Sequence, residues 1–219
     1  MSDLFADDTD YPINVLGTQG DAWYYGPCLG ADLANDYFGR LLQGVDWQRD
    51  EVVIHGKTIH ARRMISWHAD AAYRYGYSNT QRTARPWTPD LLMLKEWVEQ
   101  QSGESYNACL LNLYSDGNVG LAWHSDAERE LKPQGAIASI SLGAERRFLF
   151  RHKQSRETRE VRLQHGSLLV MKGTTQEHWL HSLPPMARVT TPRINLTFRT
   201  ILAGRNSVAD RSVTGRADS

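Results

Sequence analysis

AIASISLGAERRFLFRHKQSRETREVRLQHGSLLVMK, residues 136–172, is the stretch whose reading decides the fold. Four short runs lie in it: Ala136–Leu142, Arg147–His152, Arg159–Leu163 and Ser167–Lys172. Turn pairs follow the last two, His165-Gly166 and Lys172-Gly173. Runs of this length, bounded by turn residues, predict strands rather than helices. The pattern continues outward on both sides. Asn107–Tyr114 and Leu121–His124 precede it, separated by Ser115-Asp116-Gly117-Asn118. His178–Ser182 and Asn195–Ile201 follow it, with Pro184-Pro185 between them. A series of short strands this dense predicts a double-stranded β-helix, or jelly roll.

Two helices come before the strands. Ala31–Leu42 carries Leu33, Tyr37, Phe38, Leu41 and Leu42 at helical spacing. The second runs from Pro89 to Gln101, with Thr88 as N-cap, Pro89 at N1, Asp90 in the first turn and Gly103 past the end. Its face Leu91, Leu94, Val98 is expected to pack on a sheet. The fold class is therefore mainly β with flanking helices. Residues 1–10 form an acidic arm, 11–203 one domain with its jelly roll in 106–203, and 204–219 a polar, aperiodic tail expected to be disordered.

Composition narrows the function classes. Positive and negative side chains balance to a formal net charge of zero, which excludes a globally basic nucleic-acid surface and leaves room for a local patch. Cys28 and Cys109 form no CxxC, so neither a disulfide framework nor a zinc knuckle is indicated. The segment MSDLFADDTDYP is acidic and has no apolar centre, unlike a secretory signal. No apolar run approaches the ~20 residues that span a bilayer. A cytoplasmic monomer with no membrane attachment is the expectation.

Candidate chemistry begins at Trp123-His124-Ser125-Asp126. On extended backbone, residues i and i+2 point to one side, so His124 and Asp126 can aim at one ion. A second histidine would complete two histidines and one carboxylate, the set that holds one face of Fe(II) and leaves positions open. Isolated, an HxD is more often a surface histidine beside a solvated aspartate. Glu177-His178-Trp179-Leu180-His181 offers two third ligands. His178 and His181 face opposite sides of a strand, and phase does not choose between them.

In Pro192-Arg193-Ile194-Asn195-Leu196-Thr197-Phe198-Arg199, the residues Asn195, Thr197 and Arg199 share one strand face. An interior arginine is costly unless paired, and a dicarboxylate would supply a bidentate partner. The alternative is an arginine that reaches solvent at the strand end. Asn112 and Tyr114 form a similar polar pair upstream. Tyr73, Tyr75 and Tyr77 alternate at strand spacing, which by itself reads as one aromatic face on a core. Arg146-Arg147 and Arg151-His152-Lys153 read equally as a solvated edge or a phosphate-binding stripe.

Taken in order, Asn112-Leu-Tyr114, His124-Ser-Asp126, Ile137-Ala-Ser-Ile-Ser-Leu-Gly143, Arg147-Phe-Leu-Phe-Arg-His-Lys153, His165-Gly-Ser-Leu-Leu169, His178-Trp-Leu-His-Ser-Leu-Pro184 and Pro192–Arg199 resemble the AlkB family of alkylation-repair dioxygenases. The branch that repairs duplex and single-stranded DNA is the most similar. The resemblance implies Fe(II) held by His124, Asp126 and His181, so it selects His181 over His178. It implies 2-oxoglutarate held by Asn112, Tyr114, Arg193 and Arg199, with Arg199 at the distal carboxylate and Arg193 nearer the metal, and O2 as oxidant. Glu128, Tyr75 and Tyr77 would contact the target base, Ile54 or His55 would probe the base stack, and Arg74 and Arg82 would add phosphate contacts. The implied activity is oxidative demethylation of bases such as 1-methyladenine and 3-methylcytosine in DNA, with formaldehyde released. RNA, a protein or a small molecule is the alternative substrate. One departure is plain. Where that branch has a basic triplet, Pro185-Met186-Ala187-Arg188 carries one basic residue, which argues against a tight duplex grip.

Overall fold

The computed structural model describes residues 10–54, 57–77 and 80–202; within these, 50–54, 57–60, 74–77 and 80–82 are described by backbone alone. The chain runs β1 (Ile13–Asn14), β2 (Asp21–Tyr24), α1 (Ala31–Gly44), β3 (Gln48–Ile54), β4 (Lys57–Ala69), β5 (Arg74–Tyr77), β6 (Thr80–Thr83) and α2 (Pro89–Ser102). It continues through β7 (Ala108–Tyr114), β8 (Leu121–His124), β9 (Ile137–Gly143), β10 (Arg146–His152), β11 (Thr158–Leu163), β12 (Ser167–Lys172), α3 (Thr175–His178), β13 (Trp179–Leu183) and β14 (Arg193–Arg199). The acidic arm and the polar tail lie outside the described residues, apart from Asp10.

The strands form two principal layers. An eight-stranded antiparallel sheet has the order β1-β2-β12-β9-β14-β7-β4-β3. A four-stranded antiparallel sheet has the order β11-β10-β13-β8. β5 and β6 pair as a small separate ribbon. This is the expected jelly roll, extended at one edge by β3 and β4. The thirteen-residue β4 was not among the strands expected from alternation. Its run of Ala61-Arg62-Arg63-Met64 interrupts the period of two; pairing with β3 on either side of a register shift, and with β7 from Met64 to Ala69, holds the strand extended.

β14 is the last strand among the described residues, yet it is central in the large sheet, between β9 and β7. Its alternation divides two environments. Ile194, Leu196 and Phe198 join Cys109 and Leu111 of β7, Ala138, Ile140 and Leu142 of β9, and the helix residues Tyr37, Leu41, Leu91, Leu94 and Val98 in one core. Each large apolar side chain fully buried there contributes about 1.5–3 kcal/mol. The helices thus cover one face of the large sheet. Arg193, Asn195, Thr197 and Arg199 alternate with that set and face the small sheet.

Both helices lie where expected; α2 buries the expected Leu91, Leu94 and Val98, its end and that of α1 shift by one or two residues, and the face of α1 is revised. Thr88 accepts a hydrogen bond from the Leu91 amide at 3.4 Å, and Gly103 ends α2 in the left-handed region at φ 68°. On α1 the buried residues are Ala34, Tyr37 and Leu41, while Leu33 is exposed. The seam runs through the small Ala34, where Gly166, which accepts from the Leu29 amide at 3.0 Å, packs close against the helix. Among the described residues no helix is long and apolar enough to cross a membrane.

The outer end of β4 is tied down through a buried histidine. His68 donates from Nδ1 to the Pro86 carbonyl at 2.7 Å, and its Nε2 faces the Ser66 hydroxyl at 3.0 Å. The carbonyl fixes the proton on Nδ1, so Nε2 accepts from Ser66 in the neutral ring. Burial holds the His68 pKa below 6.5, against the partial help of the Pro86 carbonyl. The unfolded chain then takes up this proton first. Stability is full above that value and falls as pH drops through it toward the lower folded pKa. Urea midpoints measured from about pH 7.5 down to about pH 5.5 should fall, and fall less in His68→Gln. An equal fall in both proteins would remove His68 as the cause.

Candidate functional site

The two inner faces enclose a cavity of about 930 Å³, counting its open mouth. On the small-sheet side, β8 ends at His124 and β13 carries His181 directly opposite it. Asp126 sits in the irregular stretch that follows β8. One nitrogen of each histidine and one carboxylate oxygen lie within 4.8 Å of one another. His124 Nε2 is 3.6 Å and His181 Nε2 is 3.9 Å from Asp126 Oδ1. The rings are 4.2 Å apart, centroid to centroid.

Surrounding groups fix how these atoms point. His124 Nδ1 is 2.9 Å from the Ala122 carbonyl, so it carries the proton and leaves a lone pair on Nε2. Asp126 divides its oxygens: Oδ2 accepts from Arg199 Nη2 at 3.1 Å while Oδ1 faces the histidines. Burial alone would raise the Asp126 pKa, but Arg199, His181 and His124 outweigh it and hold the carboxyl below its ordinary range. Burial pushes the His181 pKa down to about 3, which keeps the ring neutral and able to donate a lone pair. His178 is elsewhere. It closes α3, and its ring lies parallel to that of His152 at 6.2 Å.

The large sheet supplies the opposite wall in register. Arg193 stands beside Tyr114, Asn195 beside both Asn112 and Ser141, and Thr197 beside both Leu110 and Ser139. β4 adds Ile65 beside Asn112 and Trp67 beside Leu110. Arg193 is almost wholly buried. It donates to Ser141 Oγ at 2.9 Å and Asn195 Oδ1 at 2.6 Å, and lies over the Tyr114 ring at 5.4 Å. Its Nε has no hydrogen-bond partner, and among the described residues no carboxylate pairs with it. Burial pushes its pKa down to about 10. A buried guanidinium resting on neutral acceptors fits an anionic ligand in the cavity.

The order of the two arginines differs from the one the resemblance implied. Arg199 is at the metal-ligand end, on Asp126 and 4.0 Å from Glu128, and Arg193 is at the end away from it. The reason is register: β14 runs so that its last residue, not its first, reaches the Asp126 loop. Glu128 lines the cavity beside Arg199. The side chains of Ile54, Tyr75, Tyr77, Arg74 and Arg82, and His55 entirely, lie outside the described residues. Among the basic residues of β10, Arg146 is fully buried and donates to the carbonyls of Asp116, Val119 and Pro184. Arg147 forms a two-point pair with Glu160. Neither stands as a free phosphate contact.

Lining residues not singled out in the sequence include Arg63, Ile65, Trp67, Leu110, Ser139, Phe148 and Met171. For those on β4, β7 and β9, only strand phase relative to Asn112 and Asn195 would have marked them.

A two-layered antiparallel fold with two histidines and one carboxylate lining the cavity between its layers is the arrangement of an Fe(II) oxygenase. The pattern described as the 2OG-Fe(II) oxygenase superfamily matches residues 22–199. The mouse (Mus musculus) DNA oxidative demethylase ALKBH2 is 40% identical over 198 residues, 85% of this chain and 83% of that protein. The human (Homo sapiens) protein of the same name is 38% identical over 189 residues, 81% and 72% of the two chains. Bovine (Bos taurus) alpha-ketoglutarate-dependent dioxygenase alkB homolog 3 is 36% identical over 177 residues, 77% and 62%. The solved structure of OsALKBH1 superposes with a TM-score of 0.58 at 16% identity, over 82% of this chain and 97% of that one, which bears on the fold alone. The chain belongs to the AlkB family of Fe(II)/2-oxoglutarate dioxygenases.

Proposed function

We propose that this protein removes methyl groups from alkylated bases in DNA, such as 1-methyladenine and 3-methylcytosine, by oxidation. The observation that carries this reading is the pairing, in one cavity, of the His124–Asp126–His181 cluster with the buried, anion-seeking Arg193. The names of the relatives supply the class of substrate.

His124 Nε2, Asp126 Oδ1 and His181 Nε2 would hold Fe(II). Arg193, with Tyr114, Asn112 and Asn195 around it, would hold the carboxylate of 2-oxoglutarate that lies away from the metal. Iron bound with 2-oxoglutarate and O2 supplies the oxidising power that places a hydroxyl on the methyl carbon, with succinate and carbon dioxide as co-products. The remaining steps belong to the base and to this chain. A base methylated on a Watson–Crick nitrogen is cationic and pairs poorly, so it leaves the stack at reduced cost. Glu128 places a carboxylate beside the cavity, where it favours that cation. Trp67, Leu110 and Phe148 exclude water from the methyl group. The hydroxymethyl then loses its hydroxyl proton as the carbon–nitrogen bond breaks, and formaldehyde and the restored base separate.

Purified protein given Fe(II), 2-oxoglutarate and oligomers bearing either lesion should release formaldehyde in step with base restoration. Matched single- and double-stranded oligomers, and RNA, belong in the same panel. Consumption of 2-oxoglutarate with no DNA base restored would overturn the assignment of substrate while leaving the iron chemistry in place.

A further inference from the structure

Asp126 lies in a stretch that no strand ladder supports: β8 stops at His124, and residues 125–128 are irregular. Asp126 also stands on a thin wall. Together with Glu128 and Arg199 it lines both the main cavity and a second cavity on its far side. A carboxylate so placed is held only by the groups that reach it. Arg199 holds the side chain. The backbone is held from the second cavity: the Asp126 amide donates to Gln176 Oε1 at 2.9 Å.

Gln176 is on the one-turn helix α3, fifty residues away, and is itself braced. Lys153 Nζ donates to the Gln176 carbonyl at 2.8 Å and reaches Ser125 Oγ at 3.4 Å. The Lys153 amide donates to the His178 carbonyl at 2.8 Å. Lys153 therefore grips α3 at two points and touches the Asp126 loop at a third. α3 leads directly into β13, which carries His181. One small set of bonds thus joins the segment bearing the carboxylate to the segment bearing the third ligand.

We infer that Gln176 and Lys153 are positioning residues that set the Asp126 carboxylate against the two histidines, acting through the loop backbone and touching neither metal nor substrate. The inference rests on the metal assignment made above. Side chains that orient metal ligands typically change affinity by about 10–100-fold when removed.

Mn2+ alone, titrated into the protein in place of Fe(II), tests this by its affinity, with the melting temperature of the metal-free protein as a folding control. Gln176→Met keeps length and removes the acceptor; it should weaken Mn2+ binding by about 10–100-fold. Gln176→Glu keeps an acceptor oxygen and should bind close to wild type. Lys153→Met should weaken binding in the same direction and Lys153→Arg should restore it, which carries the test if Gln176→Met does not fold. Unchanged affinity in Gln176→Met, or an equal loss in Gln176→Met and Gln176→Glu, overturns the inference. Asp126→Ala separates the two levels: if it binds Mn2+ as well as wild type, the metal assignment itself has failed.

Discussion

His181→Ala should abolish both metal binding and turnover, and His178→Ala should leave both near wild type. The two residues are three apart and both imidazoles, so composition and local charge barely change between the variants. What differs is position. His181 faces His124 across the β13–β8 ladder, with its Nε2 on the Asp126 side. His178 ends a helical turn beside His152. Without His181 the set drops to one histidine and one carboxylate, and Arg199 remains bonded to that carboxylate. Equilibrium Mn2+ binding and formaldehyde release measure the two effects separately. Metal retained in His181→Ala and lost in His178→Ala would show that the third ligand is misassigned.

Arg193→Met should weaken 2-oxoglutarate binding and spare the metal. Arg193 rests on Ser141 and Asn195, both neutral, so a ligand carboxylate would be its charge partner. Removing one side of a buried charge pair costs about 2–5 kcal/mol, from about 30-fold to several thousand-fold in affinity. Calorimetric titration of 2-oxoglutarate into the Mn2+-loaded protein reads this directly. Arg199→Met should behave differently, because Arg199 is bonded to Asp126 and its loss reaches the metal. If Arg193→Met binds 2-oxoglutarate as wild type does, the ligand carboxylate lies elsewhere.

The contrast between these arginines shows where local sequence stops being informative. Both could be seen to share one strand face, because a period of two is a local property. Which of them meets the metal depends on the direction of β14 and on its partners, and no window of β14 contains that. His178 and His181 pose a related problem. The parity argument treats both as strand residues, but backbone up to His178 is helical, so parity does not govern the pair. His124 and Asp126 were legible as a pair although only His124 lies on a strand. Their proximity needs only two residues of extended chain. Gln176 and Lys153 left no local signal at all, since their bonds to the Asp126 loop cross 50 and 28 residues.

The placement of β14 also governs when the site can exist. The last strand of the domain is inserted at the middle of the large sheet rather than added at its edge. A chain that has not reached β14 has no guanidinium for Asp126, no Arg193, and a sheet parted between β9 and β7. Completing the large sheet therefore also completes the site, because the strand that fills the gap between β9 and β7 is the one that brings Arg199 to Asp126 and Arg193 into the cavity wall.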